Sequence, residues 1–337
     1  MAIDWANLKF SYTQTKCHIR YTWRDGKWDA GELVESPYLN IHIAATALHY
    51  GQALFEGLKA YRAKDGSIKL FRPEMNSRRL NSGARRTMMA EVPEELFMEA
   101  VRRVVRANEE FVPPYGTGAT LYIRPLLIGT GPQIGVNPAE EYTFIILVTP
   151  VGAYYKGGLQ PVKAMVLDDY DRAAPFGTGQ IKLAGNYAAS LLPHNIVHEA
   201  GFPVELYLDS REHKYVEEFG TSNFIGVTKD GTFTTAKSTS ILPSVTSNGL
   251  VQLARHLGMP WVCRQIAFDE LEENFAEVGA CGTAVVITPV NEITRGDKVI
   301  KIGPAKGCGP ILQNLYSHYT AIQWGDEEDV FGWLKTL

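Results

Sequence analysis

Short β-like runs follow one another along most of the chain, and helical patterns fall between only some of them. Two hairpins are predicted, at residues 18–27 and 58–71, because each contains an Asp-Gly turn between two such runs. The later runs are 119–127, 142–149, 162–167, 204–208, 223–228, 261–266 and 284–287. This order predicts a mixed α/β or α+β fold without the strict βαβ alternation of a nucleotide-binding sheet.

The length of the chain predicts two domains. It has 337 residues, 45% of them hydrophobic, which is too long for one core of typical size. A glycine cluster at 152–158 follows a β-like run, as is typical of a linker. We therefore predict a small N-terminal domain at 1–151, an interdomain loop at 152–162 and a large C-terminal domain at 163–337.

Composition argues against several classes of partner. The net charge is −4 and the basic residues are dispersed, so no nucleic acid is expected. The four cysteines are far apart, which argues against a zinc ribbon or a disulfide framework and favours a reducing compartment. His194 and His198 have metal-ligand spacing but no obvious third ligand, so no metal is predicted. The N-terminus has no apolar signal region, and we expect a soluble, cytoplasmic protein without a membrane partner.

Lys182 is the first candidate for chemistry, in the string QIKLAGNY at 180–187. Apolar neighbours desolvate an amine and reduce its preference for the protonated form. Only the neutral amine attacks a carbonyl to form a Schiff base. An exposed, solvated lysine is the alternative, because most lysines lie at protein surfaces.

Three further strings offer what an aldehyde-and-phosphate cofactor needs. In VEEFGTSN (216–223), the carboxylate of Glu218 could keep a pyridine nitrogen protonated, and Glu217 is interpreted as an exposed strand-end acid. LPSVTS (242–247) precedes a predicted helix at 250–257 and suits a phosphate, although plain capping by Ser244 or Thr246 explains it almost as well. GACGTA (279–284) is interpreted as a small-residue turn.

Seven strings occur in one order: HYGQALFEGLKAY (49–61), FRP (71–73), LYIRP (121–125), KLAGNY (182–187), EFGTSN (218–223), LP (242–243) and GTA (282–284). Together they resemble the fold-type IV pyridoxal-phosphate enzymes, and most closely the branched-chain amino acid aminotransferases. The resemblance implies pyridoxal 5′-phosphate as cofactor and a homodimer or higher homo-oligomer. It also implies a small α+β N-terminal domain and a larger C-terminal domain with a mixed, barrel-like sheet and helices.

The resemblance implies a role for each matching residue. Lys182 corresponds to the Schiff-base lysine, Glu218 to the partner of the pyridine nitrogen, and Tyr187 to the donor to the phenolic oxygen. Arg79 corresponds to the phosphate arginine, whereas Arg78 beside it does not align. The other cofactor contacts are Leu242 on the ring face and Val245, Thr246 and Thr283 around the phosphate. The substrate contacts are Thr221 and Ala284 near the carboxylate, Tyr50, Phe55, Tyr122, Arg124 and Tyr154 along the side-chain pocket, and Ile134 and Val136 from a second subunit.

The implied reaction is a ping-pong exchange of the amino group between L-leucine, L-isoleucine or L-valine and 2-oxoglutarate, which gives branched-chain 2-oxo acids and L-glutamate. Leucine needs an apolar wall, whereas glutamate places a second carboxylate in the same space. We hypothesise that Arg124 meets that carboxylate while Phe55, Tyr50 and Tyr154 pack the aliphatic chains. A structural arginine after a strand is the alternative.

Other activities of the same fold stay open. A D-amino acid aminotransferase or aminodeoxychorismate lyase would keep Lys182 and Glu218 and change the pocket, and a non-catalytic binder would need neither. The animal branched-chain enzymes carry Cys-x-x-Cys just after the Thr-Ala pair, which is absent here, so no redox switch is expected. Pro193 falls inside the helix that follows the Asn-Tyr pair and predicts a kink or restart there.

Overall fold

The computed structural model describes residues 3–152 and 159–337. The chain forms two compact units: Met1–Tyr154, Ile181–Gly185 and Ala321–Leu337 make up the first, and Tyr155–Gln180 and Asn186–Thr320 the second. Part of the predicted interdomain loop, at 153–158, lies outside the described residues.

The units differ from the predicted linear division in two segments, both placed by pairing between residues distant in sequence. Leu183 forms a β-bridge to Leu54, which holds residues 181–185 in the first unit. The strand Leu334–Thr336 pairs with Ile68–Phe71, which holds the C-terminal segment there.

In chain order the strands are β1 (His18–Arg24), β2 (Lys27–Trp28), β3 (Glu32–Val34), β4 (Ala53–Phe55), β5 (Leu58–Arg62), β6 (Ile68–Phe71), β7 (Thr120–Gly129), β8 (Tyr142–Val151), β9 (Val162–Val166), β10 (Val204–Leu208), β11 (Val216–Phe219), β12 (Ser222–Thr228), β13 (Phe233–Ala236), β14 (Trp261–Arg264), β15 (Phe275–Gly282), β16 (Val286–Arg295), β17 (Lys298–Lys301) and β18 (Leu334–Thr336). The α-helices are α1 (Thr46–His49), α2 (Pro73–Arg86), α3 (Glu94–Ala107), α4 (Ala184–Ala189), α5 (Leu191–Glu199), α6 (Val245–His256), α7 (Leu271–Asn274) and α8 (Pro310–Trp324).

The first unit is built on an antiparallel sheet in the order β18-β6-β5-β7-β8-β1-β2, with β4 paired to β7 and β3 to β1. Both predicted hairpins are present, as β1–β2 and β5–β6. Helix α3 buries an apolar stripe whose residues recur at three- and four-residue steps along the sequence: Phe97, Ala100, Val101, Val104 and Val105. These residues join one core with side chains from one face of β5 and β7, so alternate residues of those strands point to the opposite face.

The second unit contains a closed barrel. Its strands run in the order β11-β10-β9-β16-β15-β12, and β11 also pairs with β12, which closes the ring. The pairs β9–β10 and β9–β16 are parallel and the other pairs of the ring are antiparallel. The predicted mixed, barrel-like sheet is therefore confirmed, and its core includes Leu206, Phe219 and Phe224.

Three local predictions are decided by the structure. Residues 279–282 belong to β15, so the turn is limited to 283–285 before β16 begins. Helix α6 begins at Val245 and not at residue 250, because the Oγ of Ser244 accepts the amide of Ser247 at 3.0 Å and caps the helix. The restart predicted at Pro193 is confirmed, since α4 ends at Ala189 and α5 begins at Leu191. Pro193 is the third residue of α5, where a missing N–H leaves no intrahelical bond unmade.

In the part of the chain that the structure describes, no helix combines the length and the apolar character that crossing a membrane requires. The same residues contain no group of histidine, cysteine and acidic side chains that could hold a metal ion.

Candidate active site

Lys182 is held against the first unit's sheet. Its carbonyl oxygen accepts the amide of Phe55 at 3.2 Å, and Leu183 bridges to Leu54. The Lys182 Nζ lies 4.7 Å from the centroid of the Phe55 ring. The amine therefore faces an aromatic ring, and the residue as a whole is half-buried. Its desolvation stays a prediction.

Arg124 lies beside Phe55 on the same face of the sheet. Its guanidinium carbon lies 5.0 Å from the ring centroid of Phe55 and 5.2 Å from that of Tyr122. Its Nη2 donates to the Tyr122 hydroxyl at 3.3 Å, while its buried Nε has no hydrogen-bond partner among the described residues. Lys182, Phe55 and Arg124 thus form a row, with Tyr122 beside Arg124, and the row ends in a cation with spare donor capacity.

Lys59 lies on this face too, because its register partner across β5 and β7 is Tyr122. Burial lowers the pKa of Lys59 from 10.5 to about 8. Among the neighbouring register positions, the ionisable side chains of this face are Tyr61 and Lys69 on β5 and β6 and Tyr122 and Arg124 on β7.

The lowered pKa of Lys59 predicts a pH-dependent stability. Between pH 8 and 10.5 the unfolded chain binds the proton that the folded state has released, so stability rises with pH in this window. Over that range we expect the free energy of unfolding of the wild type to rise by up to about 3 kcal/mol relative to that of a Lys59→Met variant. A Lys64→Met variant, changed at an exposed lysine, should show the same pH dependence as the wild type. The free energy of unfolding, measured in urea at each pH, checks this. Parallel pH curves for the wild type and Lys59→Met would contradict it.

Arg79 is fixed on α2 by a carboxylate that sequence reasoning did not single out. Its Nε and Nη2 donate to the two oxygens of Glu56 at 2.7 and 2.8 Å, and Glu56 is fully buried. Asn76 donates to the same carboxylate at 2.8 Å. Arg78, by contrast, is 65% exposed and pairs with Glu94. Arg79 is therefore held in a buried ion pair while Arg78 lies at the surface, and the assignment of Arg79 to a phosphate stays a prediction.

In the second unit, Glu218 is surrounded by donors. Its side chain is 3% exposed, and Oε1 lies 3.0 Å from Nη1 of Arg172. The amide of Leu242 donates to Oε1 at 3.0 Å, and the side-chain amide of Asn223, its register partner on β12, donates to Oε2 at 3.2 Å. Asn223 also donates to the Leu242 carbonyl at 2.8 Å, which ties Glu218 to the segment before α6.

The interpretation of Glu217 as an exposed acid is wrong. Glu217 is 2% exposed and accepts hydrogen bonds from the hydroxyls of Ser238 and Ser240. Burial raises its pKa, and the two serine hydrogen bonds oppose that shift. It is buried because β11 is a barrel strand with all four of its residues buried, not a strand at the surface.

The positive end of α6 lies beside the end of β15. Val245 and Thr246 occupy the buried first turn of the helix, after the cap Ser244. Cys281 on β15 is fully buried, and burial raises its pKa to about 12, although the hydroxyls of Ser247 and Ser244 oppose the shift. The thiol therefore stays neutral at physiological pH.

The turn after β15 carries backbone strain. Thr283 and Ala284 are half-buried there, and Val286 follows with φ of 68°, a left-handed conformation that a β-branched residue rarely adopts. Thr221 is exposed in the β11–β12 turn. Thr221, Thr283 and Ala284 thus lie at turns, whereas Glu218 and Phe55 lie on strands.

The remaining candidates are distributed as follows. Tyr50 is 40% exposed, and its hydroxyl donates to the carbonyl of Ile134. Ile134 and Val136 are exposed, at 75% and 84%. Tyr187 is half-buried on α4. Tyr154 lies outside the described residues.

Three partners of the site were missed from sequence. Glu56 and Asn223 stand inside the strings that carry the resemblance, so their position in those strings was an available signal. Arg172 lies in the loop between β9 and α4, and no spacing in the sequence links it to Glu218.

Comparison with known proteins identifies the family. The model of the amino-transferase class IV family matches residues 53–293. The chain is 50% identical to the branched-chain-amino-acid aminotransferase of Haemophilus influenzae and 46% identical to that of Helicobacter pylori, over 98% of this chain and 98% and 97% of those proteins.

The crystal structure of the Escherichia coli branched-chain amino acid aminotransferase superposes with a TM-score of 0.78 at 30% identity, covering 94% of this chain and 98% of that one. That of the Thermoproteus uzoniensis enzyme with norvaline gives 0.75 at 26% identity, covering 94% and 99%. A further branched-chain amino acid aminotransferase, solved with pyridoxamine 5′-phosphate, gives 0.79 at 26% identity, covering 96% and 99%. The chain therefore belongs to the class IV amino-transferases and, within them, to the branched-chain-amino-acid aminotransferase family.

Proposed function

We propose that this chain transfers the amino group between L-leucine, L-isoleucine or L-valine and 2-oxoglutarate, giving the branched-chain 2-oxo acids and L-glutamate. The two half-reactions alternate on one pyridoxal 5′-phosphate, the cofactor of this family. The observation that carries the proposal is the row of Lys182, Phe55 and Arg124, which combines an amine, an apolar surface and a cation on one face of a sheet.

The residues present fit the cofactor. A buried carboxylate with a cation and two N–H donors around it, Glu218, suits a protonated ring nitrogen. A helix N-terminus at Val245 and Thr246 and the guanidinium of Arg79 suit a phosphate dianion. We assign Leu242 to the ring face, Tyr187 to the phenolic oxygen and Thr283 to the phosphate.

When bound, pyridoxal phosphate supplies an aldehyde that takes up the amino group and a ring that accepts the electron pair of the broken Cα–H bond. Lys182 is then the residue that would move a proton: its Nζ would take the α-proton of the substrate and deliver it, in the same half-reaction, to the carbon that carried the cofactor's aldehyde. The other half-reaction would run this transfer in the opposite direction. The Phe55 ring covers one side of Nζ and shields it from water on that side. Glu218 holds the proton at the ring nitrogen, which the transition state needs more than the ground state does.

The substrate pocket must accept both an aliphatic chain and a second carboxylate. We assign the aliphatic contacts to Phe55, Tyr50 and Tyr154, with Tyr122 positioning Arg124 for the distal carboxylate of glutamate. The Nε of Arg124, which has no hydrogen-bond partner among the described residues, supports this assignment, because a buried donor without a partner is costly until a ligand satisfies it. Thr221 and Ala284 are assigned to the α-carboxylate.

Replacing Arg124 tests the division of labour in the pocket. We expect Arg124→Ala to lower kcat/KM for glutamate and 2-oxoglutarate by about 100-fold, because a charge-assisted pair contributes about 1.5–3 kcal/mol. We expect a loss of less than about fivefold for leucine, whose side chain makes only apolar contacts there. Steady-state kinetics of both half-reactions measure this, with Arg124→Lys as the variant that keeps the charge. Equal losses for leucine and glutamate would refute the assignment.

The assembly and location are part of the proposal. We infer a homodimer in which Ile134 and Val136 of one subunit reach the pocket of the other, and the high exposure of these two apolar side chains supports that inference. The scattered cysteines support a cytoplasmic location.

An absorption experiment tests the whole function. The purified protein should show a visible cofactor band that bleaches with L-leucine and returns with 2-oxoglutarate, and glutamate should form in the second step. D-alanine should release no pyruvate. A band that responds to D-alanine and not to L-leucine would favour the D-amino acid aminotransferase alternative instead.

A further inference from the structure

Arg172 is a buried cation whose close ionic partner is Glu218. Its side chain is 4% exposed, and Nη1 lies 3.0 Å from Oε1 of Glu218. The same Nη1 points to the carbonyl of Ser240 at 3.4 Å, which fixes the guanidinium from a second side. A charge this deeply buried persists only when it is paired and hydrogen-bonded.

Glu217 and Glu218 are both buried near Arg172, but their carboxylates have different ionic and hydrogen-bond partners. Glu218 receives Arg172 and two N–H donors, from Leu242 and Asn223. Glu217 receives the hydroxyls of Ser238 and Ser240, and burial raises its pKa. The structure thus gives the ion pair to only one of the two acids.

We propose that Arg172 is a positioning residue that keeps Glu218 ionised and thereby holds the proton on the ring nitrogen of the cofactor. This inference rests on the proposed function. In a medium of low dielectric constant, a pyridinium–carboxylate pair competes with a neutral pair in which the carboxyl group has taken the proton. A guanidinium in contact with the carboxylate favours the ionised form, whereas the N–H donors of Leu242 and Asn223 carry no charge.

Arg172 is the cation in direct contact with Glu218, and ionisable groups lie around the pair. Tyr207, Glu217 and Cys281 interact electrostatically with Arg172 or Glu218, and Glu205 and Asp209 act in turn on Tyr207 and Glu217. Burial raises the pKa of Tyr207 and raises that of Cys281 to about 12, so both stay neutral at physiological pH. Glu205 is engaged by His194 at 3.0 Å.

The test uses the holoenzyme loaded with pyridoxal phosphate that is ¹⁵N-labelled at the ring nitrogen. Its NMR shift should be that of a protonated nitrogen in the wild type and should move towards that of a neutral pyridine in Arg172→Met. We expect kcat to fall about 100-fold with KM within about threefold, since a transition-state interaction is lost. Glu217→Gln is the matched control and should leave the ring-nitrogen shift unchanged.

A second variant keeps the proposal falsifiable if Arg172→Met does not fold. In Arg172→Lys the ring nitrogen should be protonated at neutral pH and lose its proton as the buried lysine deprotonates at higher pH, whereas the wild-type signal should stay constant. An unchanged shift in Arg172→Met, a pH-independent signal in Arg172→Lys, or an equal change in Glu217→Gln would each overturn the assignment while leaving the proposed function intact. A wild-type protein that takes up no cofactor would overturn both.

Discussion

Replacing Lys182 by alanine is expected to lower kcat by at least about 10⁴-fold, the largest effect of any substitution in this chain, because the same Nζ is nucleophile and base. The fold should survive, since Lys182 contributes a backbone hydrogen bond to Phe55 that alanine keeps. Single-turnover kinetics with L-leucine measure the loss. Borohydride reduction of the wild type followed by peptide mapping should place the label on Lys182.

Lys64→Ala is the matched control for this prediction. Lys64 is exposed in the β5–β6 turn and is not one of the candidate site residues, so the activity of the Lys64→Ala variant should equal that of the wild type. A Lys182→Ala enzyme that kept a tenth of wild-type activity, or a borohydride label on another lysine, would contradict the role of Lys182.

Replacing Glu218 by alanine is expected to affect both rate and stability. Without the carboxylate the ring nitrogen loses its proton-holding partner, and kcat should fall about 10²–10³-fold with little change in KM. The same change leaves Arg172 buried without its close counter-ion, which should lower the free energy of unfolding by about 3–5 kcal/mol. Steady-state kinetics and urea unfolding measure the two effects separately.

The double variant Glu218→Ala/Arg172→Ala separates the two causes. Removing both charges leaves no unpaired ion, so it should unfold at a higher urea concentration than Glu218→Ala alone, although its activity should remain low. The exposed acid Glu273, as Glu273→Gln, should change neither quantity. A double variant less stable than Glu218→Ala would show that the buried charge is not the source of the loss.

Periodic elements could be predicted well from the sequence, whereas their ends and the charge partners could not. The stripe of α3 and the two hairpins followed from spacing, because alternation and helical periodicity record which side faces a core. The start of α6 was missed by several residues, since a cap is a single hydrogen bond from Ser244 and not a periodic pattern. The prediction that Glu217 is exposed was wrong, because the burial of β11 depends on its pairing with β10 and β12 and not on its own four residues.

By itself the sequence determined the family, the fold class and the strings around Lys182, Glu218 and Arg79, because these are orders of residue types along one chain. Only the tertiary structure decided which charges meet: Glu56 with Arg79, Arg172 with Glu218, and Ser238 and Ser240 with Glu217. Each of these contacts joins residues that are distant in sequence. A buried charge is stable only with a partner at hydrogen-bond distance, and that distance is fixed by strand pairing and loop closure, not by spacing along the chain.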